Sequence, residues 1–117
     1  EQRGDTRMST TAAITIDEIT RRIAGTLKTH GVRQCILFGS HARNDASRHS
    51  DVDLLLIKST ETRFLDRTRE LQYELSNLLP ETDVDVLCYT PEELQRMKPR
   101  KFIQTILSEG KVIYERQ

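Results

Sequence analysis

The sequence predicts one α+β domain, a short mixed β-sheet with helices packed against one face. Apolar runs of strand length stand at Cys35-Ile36-Leu37-Phe38, Leu54-Leu55-Leu56-Ile57 and around Val84 and Val86. Stripes of helical period precede and separate them, and no repeat, linker or low-complexity tract divides the chain. At 117 residues the chain is long enough for one real core and too short for two.

Each element has a local cause. Residues 1–10 are polar and without period, so 1–12 are read as a disordered tail ahead of a single domain at 13–117. Thr15-Ile16-Asp17-Glu18 fits a capping box, with the Thr hydroxyl and Glu carboxylate satisfying free backbone N–H groups. Ile16, Ile19, Ile23 and Leu27 mark the apolar stripe of the helix that follows, and Gly31 is its stop. A first strand is expected over 34–38. A polar turn with room for one helical stretch then covers 39–50, and a second strand covers 51–57. Phe64, Leu65, Thr68, Leu71, Leu75, Leu78 and Leu79 fit a long amphipathic helix stopped by Pro80. Val84 and Val86 alternate within a third strand at 82–89. Thr90-Pro91-Glu92-Glu93 is a second capping box, with proline at the first helical position. A last helix over 102–108, stopped by Gly110, leads to a short strand at 112–114.

Composition bounds the function. The chain is 36% apolar and 31% charged, ordinary for a globular protein. Lys+Arg and Asp+Glu number 18 each, so the net charge is zero and stable binding of long nucleic acid is not expected. No apolar run approaches the roughly 20 residues of a bilayer span, and no leader with a cleavage site is present. Cys35 and Cys88 both fall in apolar runs and read as buried thiols of a reducing cytoplasm.

The chemistry concentrates in three places. Gly39-Ser40 closes the first strand: glycine permits a tight turn and close backbone approach, and the Ser40 hydroxyl and neighbouring N–H groups can donate to phosphate oxygens. Ten residues later, Asp51-Val52-Asp53 opens the second strand. Period-two alternation puts both carboxylates on one face, with Cα atoms roughly 6.6–6.8 Å apart. Like charges so placed repel, and a cation removes the penalty. Hard oxygen donors select magnesium, with manganese as its substitute, over zinc. Asp83 and Asp85 share a face of the third strand, and either completes a three-carboxylate site for two ions. Spacing alone does not choose between them. His30, His41 and His49 lack ligand spacing, and His41 is read as exposed.

In combination these features go further. Leu37-Phe38-Gly39-Ser40-His41-Ala42-Arg43 followed by Asp51-Val52-Asp53-Leu54 resembles the DNA polymerase β-type nucleotidyltransferase superfamily, and within it the minimal nucleotidyltransferases (MNT). The resemblance continues through Val84-Asp85-Val86-Leu87, Thr90 to Leu94, and the closing Glu-Gly-Lys-Val-Ile-Tyr of 109–114. It implies a polymerase β-like core over about 14–115. By position, Gly39 and Ser40 would hold a triphosphate, with Arg43 in reach of the phosphates. Asp51 and Asp53 would bind both metals, and Asp85 rather than Asp83 would be the third carboxylate. Asn44 stands where many members carry glycine, and asparagine tolerates the left-handed backbone.

The resemblance also implies a biology. Minimal nucleotidyltransferases occur with helical HEPN partners, many of them ribonuclease toxins. The implied role is an antitoxin that transfers AMP from ATP to a tyrosine of that toxin, within a hetero-oligomer whose partner supplies the acceptor surface. Two alternatives stand beside it: an antitoxin that masks the toxin by binding alone, and a nucleotidyltransferase acting on a small molecule such as an aminoglycoside.

Overall fold

The computed structural model describes residues 13–116, so the tail expected over 1–12 lies outside the described residues. The elements are α1 (Ile16–Thr29), β1 (Gln34–Phe38), α2 (Ser40–Arg43), β2 (Val52–Ile57), α3 (Phe64–Leu78), β3 (Val84–Tyr89), α4 (Pro91–Met97), α5 (Lys101–Glu109) and β4 (Lys111–Glu115). No helix among the described residues is long and apolar enough to cross a membrane.

The sheet runs β3-β2-β1-β4. β1 lies antiparallel to both β2 and β4, while β2 and β3 are parallel. A tight hairpin cannot join parallel neighbours, and α3 supplies the crossover that does. Alternation then sorts the side chains. Leu54, Leu56, Val84, Val86 and Cys88 pack with the stripes of α1 (Ile19, Ile23, Leu27) and α3 (Leu71, Leu75). Ile36, Leu55, Ile57 and Tyr89 face the other way, under Leu94 of α4 and Ile103 and Ile106 of α5. The two long helices thus cover one face as expected, and two short ones close over part of the opposite face.

The first cap forms only in part. Thr15 Oγ1 accepts from Glu18 N–H at 3.1 Å, but the Glu18 carboxylate pairs with Arg21 and Arg22 instead of closing the expected box. Thr90 and Glu93 form a complete box, at 3.1 and 2.9 Å. Gly31 takes φ +69°, and the Val32 N–H returns to the Leu27 carbonyl at 3.0 Å, ending α1 as a left-handed residue does. Two strand starts differ. Asp51 precedes β2, and Thr82 and Asp83 precede β3, where the Thr82 hydroxyl donates to the Ser50 carbonyl at 2.9 Å and the Val52 N–H to the Asp83 carbonyl at 2.8 Å. Leu65 is 65% exposed, because the inward stripe of α3 takes Arg67 instead.

Arg67 is the one buried cation of the described core, and all three of its guanidinium nitrogens donate. Nη1 donates to Glu93 at 2.6 Å and to the Cys88 carbonyl at 3.1 Å, Nη2 to Glu93 at 3.0 Å, and Nε to the Thr62 carbonyl at 2.9 Å. Its guanidinium also lies 5.6 Å from the Phe64 ring centroid, and Phe64 stacks on Tyr89. One side chain therefore ties α3, β3 and α4 together. The guanidinium holds the Glu93 carboxyl down to about 2, from an ordinary 4.5. That stabilisation is complete above the unfolded value and is lost as the pH falls from about 4.5 toward 2. Arg67→Met should lower the urea-unfolding free energy by about 3 kcal/mol, since it removes a buried guanidinium and leaves a partly buried carboxylate and two carbonyls without their donor. It should also flatten the wild-type decline in stability below pH 4.5.

Candidate functional site

The site is built where β1 ends and β2 and β3 begin. In the parallel ladder Asp53 stands directly beside Asp85, and across the antiparallel ladder it faces Phe38. Residues paired in register share a face, so Asp53, Asp85 and Phe38 all lie on the side covered by α4 and α5. Asp51 sits in the turn before β2, where the Ser50 N–H donates to the Ser47 carbonyl at 3.0 Å and the Ser47 N–H to Ser50 Oγ at 2.9 Å.

Gly39 bridges β1 and α2 with φ +79° and ψ −154°, a region essentially closed to residues with a Cβ. Space demands glycine as well: a Cβ here would overlap Asp53 Oδ2. The bend therefore sits against the carboxylate. Beyond it, the Ala42 and Arg43 N–H groups return to the Gly39 carbonyl at 3.1 and 3.0 Å, forming the single turn of α2. Asn44 ends that turn at φ 66°, ψ 30°, the left-handed conformation expected of it.

Electrostatics follow from the crowding. Asp53 is half-buried, and its carboxyl is pushed up to about 6: first by desolvation, then by the Asp85 charge, then by Asp51, against a smaller opposing pull from Arg43. Asp83 does not figure among these causes, whereas Asp85 does. Arg43 is held elsewhere, with Nε 3.4 Å from Asp45 and Nη1 3.6 Å from Glu109 of α5. The structure thus brings Gly39, Asp51, Asp53, Asp85 and Arg43 into one neighbourhood, with Ser40 opening α2 beside them.

The donor set of the three carboxylates is all hard oxygen, which fits magnesium or manganese. They are not the tightest ligand set, however. Among the described residues, the three donors that all fall within 4.8 Å of one another are those of His30, Glu70 and Glu74. His30 Nε2 is 3.0 Å from Glu74 Oε2, and the pair joins α1 to α3 on the opposite face of the sheet.

Two features were not foreseen. His41, read as exposed, is only 5% exposed, because the turn of α2 directs it inward; its Nε2 has no hydrogen-bond partner among the described residues. Glu109 reaches Arg43 from far along the chain, and no local pattern announces such a contact.

Against this geometry, the family model described as Polymerase beta, Nucleotidyltransferase matches residues 21–117. The chain belongs to that nucleotidyltransferase family. It is 43% identical over 74 residues to "Putative protein adenylyltransferase MJ0435" of Methanocaldococcus jannaschii, a match spanning 63% of this chain and 77% of that protein. A chain of a toxin–antitoxin crystal structure with AMP-PNP superposes with a TM-score of 0.65 at 22% identity, over 84% of this chain and 74% of the other. A chain of the complex between a tri-AMPylated Shewanella oneidensis HEPN toxin and an MNT antitoxin does so with 0.58 at 18% identity, over 88% and 75%. Likeness at such identities speaks for the shared fold, a mixed four-stranded sheet with helices.

Two outcomes test the site. Gly39→Ala should cost about 2 kcal/mol for its backbone alone and also displace Asp53, read as a lowered thermal midpoint in chelator. The Asp53 shift predicts a pH effect in chelator. Between the ordinary 3.8 and about 6, the folded chain keeps a proton that the unfolded chain has released. Stability must then fall as the pH rises through that window. Asp53→Asn should abolish the fall and melt above the wild type at pH 7, the outcome expected where a strained carboxylate is kept at a cost in stability.

Proposed function

We propose that this chain transfers the adenylyl group of ATP to a tyrosine hydroxyl of a HEPN-type toxin, and that the modification neutralises the toxin. The observation that carries the reading is the registration of Asp53 beside Asp85 directly under the Gly39 bend. It joins a carboxylate pair to a phosphate-sized turn, the parts that phosphoryl-type transfer requires. The names of similar proteins support the substrate class: one is called a protein adenylyltransferase, and another accompanies an AMPylated HEPN toxin.

In this reading Gly39 and Ser40 seat the triphosphate, and Arg43 exchanges its exposed carboxylate partners for phosphate oxygens. Asp51 and Asp53 would hold two divalent ions, and Asp85 would serve as the third carboxylate, nearest the acceptor. Bound there, the ions would lower the acceptor's pKa and offset charge on the phosphates. The acceptor oxygen bonds to the α-phosphorus, the bond to the bridging oxygen breaks, pyrophosphate leaves, and the hydroxyl proton passes to solvent. Two buried free thiols suit a reducing cytoplasm where ATP is abundant.

The test incubates the chain with ATP, magnesium and the HEPN partner, and weighs the partner by mass spectrometry. A gain of one or more adenylate masses is expected, abolished by Asp51→Ala with Asp53→Ala while the fold persists. An unmodified partner, or one modified equally by the double mutant, overturns the assignment. Neutralisation that survives the double mutant would instead mean masking by binding.

A further inference from the structure

An aromatic ring stands at the border of the carboxylate face without a role in the core. Phe102, near the start of α5, is 57% exposed. Its ring meets that of Phe38 edge to face, with centroids 6.4 Å apart and planes at 87°. Phe38 immediately precedes Gly39 and faces Asp53 across the ladder. The other end of α5 is tied to the same place, since Glu109 lies 3.6 Å from Arg43. Residues 102 and 109 are seven apart, two turns, and so share a helix face. Ile103 and Ile106 anchor α5 on Ile36 and Leu55, and a Cβ at Gly110 would overlap Ile36 Cγ2, so the helix is pressed on the sheet. A fixed helix therefore presents Phe102 and Glu109 along one margin of the site.

The remaining aromatic side chains are committed elsewhere. The chain holds three Phe, three Tyr and no Trp. Phe64 and Tyr89 stack on each other beside Arg67. Tyr114 packs with the α1 and α3 core on the far face, and Tyr73 lies on α3. That leaves the Phe38–Phe102 pair beside the carboxylates, and Phe102 is its more open member.

Resting on the adenylyl-transfer reading, we infer that Phe102 is the platform on which the nucleobase of the donor stacks, with Phe38 bracing it from behind. A nucleoside triphosphate whose phosphates sit at Gly39-Ser40 carries a flat, apolar-faced base, and the open ring beside that bend offers it a stacking surface. Base–aromatic stacking needs no particular base edge, so this platform supplies affinity for a purine disc rather than hydrogen-bonded selection among bases.

The experiment measures binding of ATP and of inorganic tripolyphosphate, each with magnesium, to the full chain and to Phe102→Ala and Phe102→Tyr. Phe102→Ala should bind ATP about tenfold more weakly, a loss of about 1.4 kcal/mol and within the range for one stacked base. Phe102→Tyr keeps the ring and should stay within about twofold of the wild type, while tripolyphosphate, which has no base, should bind all three alike. The inference is overturned if Phe102→Ala binds ATP as the wild type does, or loses both ligands equally. Normal ATP affinity with failure to modify the partner would make Phe102 a partner contact and likewise overturn it. A wild-type chain that binds neither ligand would instead sink the adenylyl-transfer reading, and this inference with it.

Discussion

Like-charge crowding at Asp53 is the constraint around which the structure is arranged. Parallel pairing of β2 with β3 sets two carboxylates side by side, and Asp51 adds a third nearby. The Gly39 bend then closes against the same carboxylate in a backbone conformation that only glycine adopts readily. Each feature is unfavourable taken alone. Their coincidence at the mouth of an otherwise apolar sheet, in a chain with zero net charge, is local and not a by-product of overall acidity. Strain and repulsion of this kind persist where the surrounding structure over-determines them.

The surroundings do so through a division of labour between the two faces. On one, α1 and α3 seal a mainly apolar layer whose largest members are fully buried. On the other, the short α4 and α5 cover Leu55, Ile57 and Tyr89. Arg67 couples the faces, reaching from the α3 layer to Glu93 of α4 and to the β3 backbone. The placement of α4 thus depends on an ion pair, buried on its Arg67 side, in which every guanidinium nitrogen donates. Such pairs serve geometry better than they serve stability.

The strands, the helix stops at Gly31, Pro80 and Gly110, and the Thr90–Glu93 box were legible because their causes are local: a period, a glycine or proline, a Thr–Glu pair three residues apart. Asn44 in a left-handed turn was legible for the same reason. The proximity of Asp53 to Asp85 was readable only as a condition, that the strands be neighbours, and the ladder meets it. What escaped the sequence is non-local or breaks pattern. Arg67 occupies a position where the helical stripe called for a hydrophobe, and Leu65 is displaced outward in consequence. His41 reads as a polar turn residue, but four residues of helix rotate it inward. The helices α4 and α5 were legible, but their place on the second face was not, because it comes from non-local contacts such as Arg67–Glu93 and Arg43–Glu109.

The charge arrangement also says what must meet the site. Arg43 opposes the rise in the Asp53 pKa, yet it is the smallest of the influences on that group. Its guanidinium already lies near Asp45 and Glu109, so much of its field is spent on them. The protein thereby leaves the carboxylates uncompensated while keeping a cation tethered at the rim by exposed, weakly held partners. A ligand that brings both positive and negative charge answers both conditions together: the cations neutralise the aspartates, and the polyanion draws Arg43 off its two carboxylates. A nucleotide with its divalent ions has that composition, whereas either component alone would leave one half of the field unmet.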